Sequence, residues 1–167
     1  MGDRDDKMIW VARLLIFSGL TLALTAVAAG PPQEMGGWEL GSPYNALYSA
    51  NEMDSLRAEV VKVMEVVPMA GMSPGVALQV KESEGEIVEV QVCPIWYIES
   101  GSIGLKRGDK VKIRGVWADI GGRDVFLASK IKKGDYFVLK TRLTKDGTPF
   151  WTMSPEQLAR EKQDKDD

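Results

Sequence analysis

Residues 76–92 read VALQVKESEGEIVEVQV, and their alternation decides the fold class. Val76, Leu78 and Val80 alternate with Ala77, Gln79 and Lys81. After Ser83-Glu84-Gly85, Val88, Val90 and Val92 alternate with Glu89 and Gln91. A period of two marks strands with one buried and one solvated face. The break between them suits a three-residue hairpin turn with Gly85 in the left-handed region. That register sets Glu82 opposite Glu86, Leu78 opposite Val90 and Ala77 opposite Gln91. The valines then line the core, and the Gln/Glu/Lys face meets solvent.

The same alphabet continues on both sides. From Arg57 onward, Val60, Val61, Val63, Val66 and Val67 favour a strand over a helix. Ser42-Pro43 can open a short helix through Tyr48, with Ser as N-cap and Pro at N1. Cys93-Pro94 ends the second hairpin strand, and residues 95–98 form a short helical turn. Residues 110–117 predict a strand with Val111, Ile113 and Trp117 on one face and Lys110, Lys112 and Arg114 on the other. Gly121-Gly122 turns the chain into a strand over 125–131, and another follows over 136–143. Asp146-Gly147 marks a last hairpin turn. Ser154-Pro155-Glu156-Gln157 caps a weak C-terminal helix. Closely spaced, glycine-punctuated strands with one short helical connection predict a mainly β fold, a small OB-like barrel, with a β-sandwich as second choice.

One segment is strongly apolar. Residues 14–29 read LLIFSGLTLALTAVAA, without a charge. As a helix it spans roughly 24 Å, short of the ~30 Å hydrocarbon core unless extended back towards Met8 with Arg13 snorkelling. Arg4, Lys7 and Arg13 precede or open it, and no Lys or Arg follows until Arg57, which puts the N-terminus in the cytoplasm and the domain outside. Ala26-Val27-Ala28 would equally serve a cleavable signal peptide. The expected organisation is a cytoplasmic N-terminus (1–13), a transmembrane anchor or signal peptide (14–30) and a linker with a short helix (31–56). An OB-like β domain (57–152) and a charged C-terminal tail (153–167) complete it.

Composition excludes more chemistry than it suggests. The 167 residues contain no histidine and one cysteine. Histidine-based acid–base catalysis, a Ser-His-Asp triad, histidine-ligated zinc or copper and axial-histidine haem are all excluded, as is an intramolecular disulfide. No nucleophile–base pair is recognisable, so the chain reads as a non-enzyme without a cofactor. Charge is unevenly spread. Residues 51–100 carry three basic and nine acidic groups, whereas 101–150 carry twelve basic and five acidic. The acidic group centres on Glu82, Glu84, Glu86 and Glu89. These would offer hard oxygen ligands to a metal or mineral, although polar hairpin tips are ordinarily just solvated. The basic group is Lys106, Arg107, Lys110, Lys112, Arg114, Lys130, Lys132 and Lys133. Of these, Lys110, Lys112, Arg114, Lys130 and Lys132 are the candidate binding residues for an anionic ligand or acidic partner. Nucleic acid is not expected as a partner of an exported domain. Trp96, Tyr97 and Trp151 are expected to plug or cover the barrel.

Five stretches together resemble one family: PYNALY (43–48), PMAGMSPGV (68–76), VQVCPIWYI (90–98), GDKV (108–111) and DGTPFW (146–151). They are similar to the exported, OB-like domains of the MamS/MamX magnetosome proteins, over roughly 41–152. The resemblance implies a single-pass magnetosome-membrane protein with its domain in the lumen. Its implied role is accessory: influencing magnetite crystal growth and size, with other magnetosome membrane proteins or the growing mineral as partners. A periplasmic location is the alternative. The chain lacks a CxxCH haem-attachment motif. Ala77 and Gln91 stand where relatives carry histidine, so a metal role implied by those relatives does not transfer.

Overall fold

The computed structural model describes residues 34–163, with side-chain environments up to 161. The apolar segment expected at 14–30 lies outside the described residues. Among the described residues no helix is long and apolar enough to cross a membrane.

Six strands follow in order: β1 (Asp54–Val66), β2 (Gly75–Glu82), β3 (Ile87–Pro94), β4 (Lys110–Asp119), β5 (Asp124–Lys133) and β6 (Phe137–Lys140). They form one sheet ordered β3-β2-β1-β4-β5-β6, antiparallel between neighbours. β3 also meets β5 in parallel at Val90↔Phe126 and Gln91↔Leu127, so the sheet curls far enough for its two halves to touch. The protein is mainly β. Long β1 makes the curl possible: Asp54–Glu59 pair with β4 and Ala58–Val66 pair with β2. A bulge between Val60 and Lys62 bends it between the two tasks.

From Ala77 onward the 76–92 hairpin has the register its alternation predicts, and a shift between Val76 and Ala77 sets Val76 opposite Cys93. Ala77 faces Gln91 and Leu78 faces Val90. The Glu82 N–H donates to the Glu86 carbonyl at 2.9 Å, and Gly85 closes the turn at φ +94°. Val76, Leu78, Val80, Val88, Val90 and Val92 are all core. The other face departs from expectation. Ala77 and Gln91 are 0% and 1% exposed, not solvated. At Gln91, β3 is flanked by β2 on one edge and β5 on the other, and chain from outside the sheet packs onto this end of the fold.

That covering chain includes residues 34–53, expected to be linker. The short helix is present as α1 (Pro43–Ala46), with Ser42 Oγ accepting the Asn45 N–H at 3.2 Å. The segment around it is core. Trp38 and Tyr44 are fully buried and Tyr48 nearly so. Trp38 Nε1 donates to the Ser73 carbonyl (2.9 Å), while Trp151 Nε1 donates to the Trp38 carbonyl (2.8 Å). Asn45 Nδ2 donates to both Trp38 and Glu39 carbonyls. The Trp38 ring meets Tyr44 and Trp151 edge-on, at 4.8 and 5.7 Å between centroids. A linker would leave this much aromatic surface wet, at a cost of roughly 25 cal/mol per Å². The aromatics instead fold back. Trp151 is buried and Tyr97 half-buried beside it, while Trp96 stays exposed.

Two further departures have local causes. Along β4, Lys110, Lys112 and Arg114 are exposed and Val111 and Ile113 buried, as predicted, but Trp117 is 38% exposed rather than sharing their burial. The β4–β5 register shifts between Arg114 and Gly115, and Gly115 and Val116 are both buried, so the alternation does not carry through to Trp117. Trp117 rests edge-on against Phe126 and donates to Asp54 Oδ2 at 3.2 Å. The strand expected over 136–143 stops at Lys140 because the Thr141 and Arg142 N–H groups both turn to the Ser129 carbonyl. After the Asp146-Gly147 turn, α2 (Pro155–Gln163) starts with a reciprocal cap. Ser154 Oγ accepts the Gln157 N–H, and Gln157 Oε1 accepts the Ser154 N–H.

Candidate anion-binding face

Strand pairing turns a scattered set of basic residues into a grid. Arg57 on β1 faces Lys112 on β4, which faces Lys132 on β5. In the next row Ser55 faces Arg114, Arg114 faces Lys130, and Lys130 faces Lys140 on β6. Neighbouring strands lie ~4.8 Å apart and alternate residues ~6.7 Å apart, so cations from two rows and four strands share one surface. Lys110 joins at the edge opposite Glu59. All five basic residues singled out by sequence lie here: Lys110, Lys112, Arg114 and Lys132 exposed, Lys130 at only 7%.

Two connected depressions mark the face. A pocket of about 320 Å³ is lined by Ser55, Lys112, Arg114, Lys130 and Lys132, with no carboxylate in its wall. A larger groove of about 800 Å³ shares Lys112 and Lys132 and extends past Arg57, Lys81 and Lys110, with Glu59 and Glu82 also in its wall. Arg57, Lys81 and Ser55 were missed in the sequence. Arg57 could have been found, since Ser55, Arg57 and Glu59 alternate with Leu56 and Ala58 as one strand face. Lys81's position over the groove depends on β1 lying between β2 and β4, which no local pattern announces.

Not every cation nearby belongs to the grid. Lys133 reaches the other way, donating to Asp109 Oδ2 at 3.0 Å and the Gly104 carbonyl at 2.9 Å, with its ammonium 5.0 Å from the Phe137 ring centre. Hydrogen bonds from the Lys106 N–H and from Lys133 hold the Asp109 carboxyl below its usual range. Lys106 and Arg107 sit exposed on the loop before β4.

The acidic candidates do not assemble. Glu82, Glu84 and Glu86 stay at the hairpin tip, whereas Glu89 accepts from Gln91 Nε2 at 2.8 Å and pairs with Arg123 at 3.7 Å. Among the described residues no three His, Cys, Asp or Glu side chains converge to hold a metal ion.

Arg142, 3% exposed, lies under the aromatic layer and was not singled out by sequence. Its guanidinium carbon sits 4.9 Å from the Trp151 ring centre, 5.1 Å from Tyr48 and 5.9 Å from Tyr44, and Nη1 donates to the Gly147 carbonyl. Burial pushes its pKa down and those of Tyr44 and Tyr48 up. Burial likewise pushes the Cys93 thiol up to about 12, so it carries no thiolate chemistry at neutral pH. This cluster is sealed, and the basic face is open.

In solved structures the domain is similar to the PriB protein of Ralstonia solanacearum, at 15% identity and TM-score 0.39, covering 50% of this chain and 98% of that one. It is also similar to the mitochondrial single-stranded DNA binding protein Rim1 of S. cerevisiae, at 13% identity and TM-score 0.38, covering 56% and 96%. No curated protein matches the chain. The sequence profile of the MamS/MamX magnetosome protein family matches residues 52–138, from just before β1 into β6, and so covers the basic grid except Lys140. By that match the chain belongs to the MamS/MamX magnetosome protein family.

Proposed function

We propose that the protein is a single-pass, non-enzymatic accessory protein of the magnetosome membrane. The apolar segment at 14–30 anchors it with the OB-like barrel in the lumen, where the domain influences magnetite crystal growth and size. The family match over residues 52–138 carries this reading. The absence of histidine from the sequence and the inert environment of Cys93 support a role without catalysis. Contacts with other magnetosome membrane proteins or with the growing mineral are made through the basic face, where strand pairing groups Arg57, Lys112, Arg114 and Lys132 on one surface.

Deleting the gene in a magnetite-forming host tests the role. Smaller or misshapen crystals, restored by the intact gene but not by one carrying Lys112→Glu and Arg114→Glu, are expected. Unchanged crystal number, size and shape after deletion would sink it. Fractionation tests the location. An intact N-terminal peptide in the membrane fraction that co-purifies with mineral is expected. A soluble periplasmic form beginning near Ala29 would favour the second reading, an exported binding module for an anionic ligand, which the acid-free pocket between Lys112, Arg114, Lys130 and Lys132 specifically supports.

A further inference from the structure

We infer that the groove of about 800 Å³ between β1, β2, β4 and β5 binds an extended acidic segment of a protein partner. This rests on the reading of the basic face as the working surface, and it names what that surface takes.

Two rows of side chains cross the groove. In the first, Glu59 on β1 lies between Lys81 on β2 and Lys110 on β4. In the second, Lys112 on β4 lies between Arg57 on β1 and Lys132 on β5. The first row carries its own carboxylate. The second is cation beside cation throughout, and like charges opposite one another destabilise a sheet. Among the described residues none of Arg57, Lys81, Lys110, Lys112 and Lys132 takes part in an ion pair; those that form join Arg123 to Glu89 and Lys133 to Asp109. Lys130 and Lys140, each already engaged in an interaction, lie outside the groove wall. Five cations thus share the wall with two carboxylates, Glu59 and Glu82. A ligand carboxylate beside Lys112 supplies to the second row what Glu59 supplies to the first.

The spacing of these charges sets the ligand's shape. From Lys81 on β2 to Lys132 on β5 the sheet crosses three strand intervals, roughly 14 Å. A lone carboxylate or phosphate reaches only one or two of the cations. An extended chain advances about 3.3 Å per residue, so about four or five residues cover the span, with alternate carboxylates about 6.7 Å apart. The groove's volume falls in the range of about 300–1,000 Å³ that takes ligands of this bulk. Ala58, Val61 and Val111 add apolar wall for the intervening side chains. Two features select a peptide over a nucleic acid strand. No aromatic side chain lines the groove, so bases find no stacking platform. Glu59 and Glu82 repel a uniform polyanion, yet they accept hydrogen bonds from peptide N–H groups. Clustered cations reading an acidic motif are a recurrent mode of peptide recognition.

The full-length chain in neutral detergent is titrated with a fluorescent peptide of about nine residues alternating glutamate with alanine, long enough to cross the groove. A peptide with glutamine in place of glutamate is the control. Saturable one-to-one binding is expected, at least about tenfold tighter than the glutamine peptide's and weakening as salt rises. The double variant Arg57→Gln/Lys112→Gln should cost about tenfold or more in affinity without lowering the melting temperature. Lys145→Gln/Arg160→Gln makes the same change in net charge outside the groove and should leave the affinity unchanged. No saturable binding, or equal losses in the two double variants, overturns the inference. An oligothymidylate strand of equal charge should compete more weakly than the acidic peptide; tighter binding of that strand overturns the inference in favour of nucleic acid. The crystal-growth reading of this face falls separately. If the Arg57→Gln/Lys112→Gln strain makes normal crystals while its protein has lost the peptide, the groove is real and that reading is wrong. If no peptide binds while Lys112→Glu and Arg114→Glu still fail to restore crystals, that reading stands and the peptide groove falls.

Discussion

Arg142 and Arg114 are treated in opposite ways by the same small domain. Arg142 is 3% exposed, clasped by Tyr44, Tyr48 and Trp151, and its charge is offset by ring faces and a carbonyl. Arg114 stands exposed beside Ser55 and opposite Lys130, in a wall without acid. The first arrangement removes water and admits no ligand. It joins the chain before β1 to the chain after β6, so its value is architectural. The second keeps unfavourable repulsion on an open surface, which architecture alone does not require. The contrast teaches how to tell a structural cation from a working one: not by charge or residue type, but by whether the fold has already met its electrostatic demand.

Breaking the aromatic side should give the largest effect. Trp38→Ala removes a fully buried indole that touches Tyr44 and Trp151 and donates to Ser73. A loss of about 3–5 kcal/mol is expected, as for other buried aromatic-to-alanine changes. Lys132→Ala on the open face should stay within about 0.5 kcal/mol. Urea unfolding of both variants settles it. Similar midpoints would mean that residues 34–53 are the linker the sequence suggested, not part of the core.

Gly75→Ala tests the same layer from beneath. Gly75 is not in the left-handed region, so its role is space alone: a Cβ there would overlap the Trp38 ring and press on the Cys93 carbonyl. Overpacking of this kind costs about 1–3 kcal/mol. The double variant Gly75→Ala/Trp38→Ala should then lose less than the sum of the singles, because the clash disappears with the ring. Strict additivity would show that the two residues do not press on each other.

These two regions also differ in how far the sequence exposed them. The basic face was largely legible. Lys110, Lys112 and Arg114 alternate with Val111 and Ile113, and a period of two needs only local sterics to become a strand face. Its assembly into a grid was not legible, since the pairing of Lys112 with both Arg57 and Lys132 depends on which strands become neighbours. The aromatic layer was misread for the opposite reason. Residues 34–53 have the Pro/Gly content of a linker and no periodicity, and their burial comes from single anchors, Trp38 and Tyr44, meeting Trp151 more than a hundred residues away. Trp117 was misplaced because the register shift after Arg114 breaks an alternation that the residue types do not show to be broken.

On the open face the expected stability changes are small and of opposite sign. Lys132→Ala relieves one like-charge pair and Lys112→Ala two, and each should raise stability by a few tenths of a kcal/mol. The gain should shrink as salt rises, since exposed charges are screened over ~8–10 Å at moderate ionic strength. Thermal unfolding at low and high salt reads both. A stability loss at low salt would show that the lysines serve packing rather than binding.

The smallest effect concerns Lys133, the cation that Asp109 diverts from the grid. Hydrogen bonds from the Lys106 N–H and the Lys133 ammonium lower the Asp109 pKa in the folded state, so folding favours the carboxylate. A depressed carboxyl stabilises the fold above its unfolded pKa of about 3.9, and that contribution fades as pH falls through the folded value. Melting curves of the native protein and Asp109→Asn from pH 7 downward should therefore differ by a constant amount above about pH 5 and converge below about pH 4. A gap that stays constant into acid would mean that the carboxyl's charge contributes nothing. The substitution also sharpens the contrast between the two kinds of cation. With its carboxylate gone, Lys133 loses the partner that met its electrostatic demand and should begin to behave like its neighbours on the open face. The salt dependence of Asp109→Asn stability should then shift towards that of a protein with one more unpaired cation, while Arg142, answered by rings and not by an ion, is indifferent to the change.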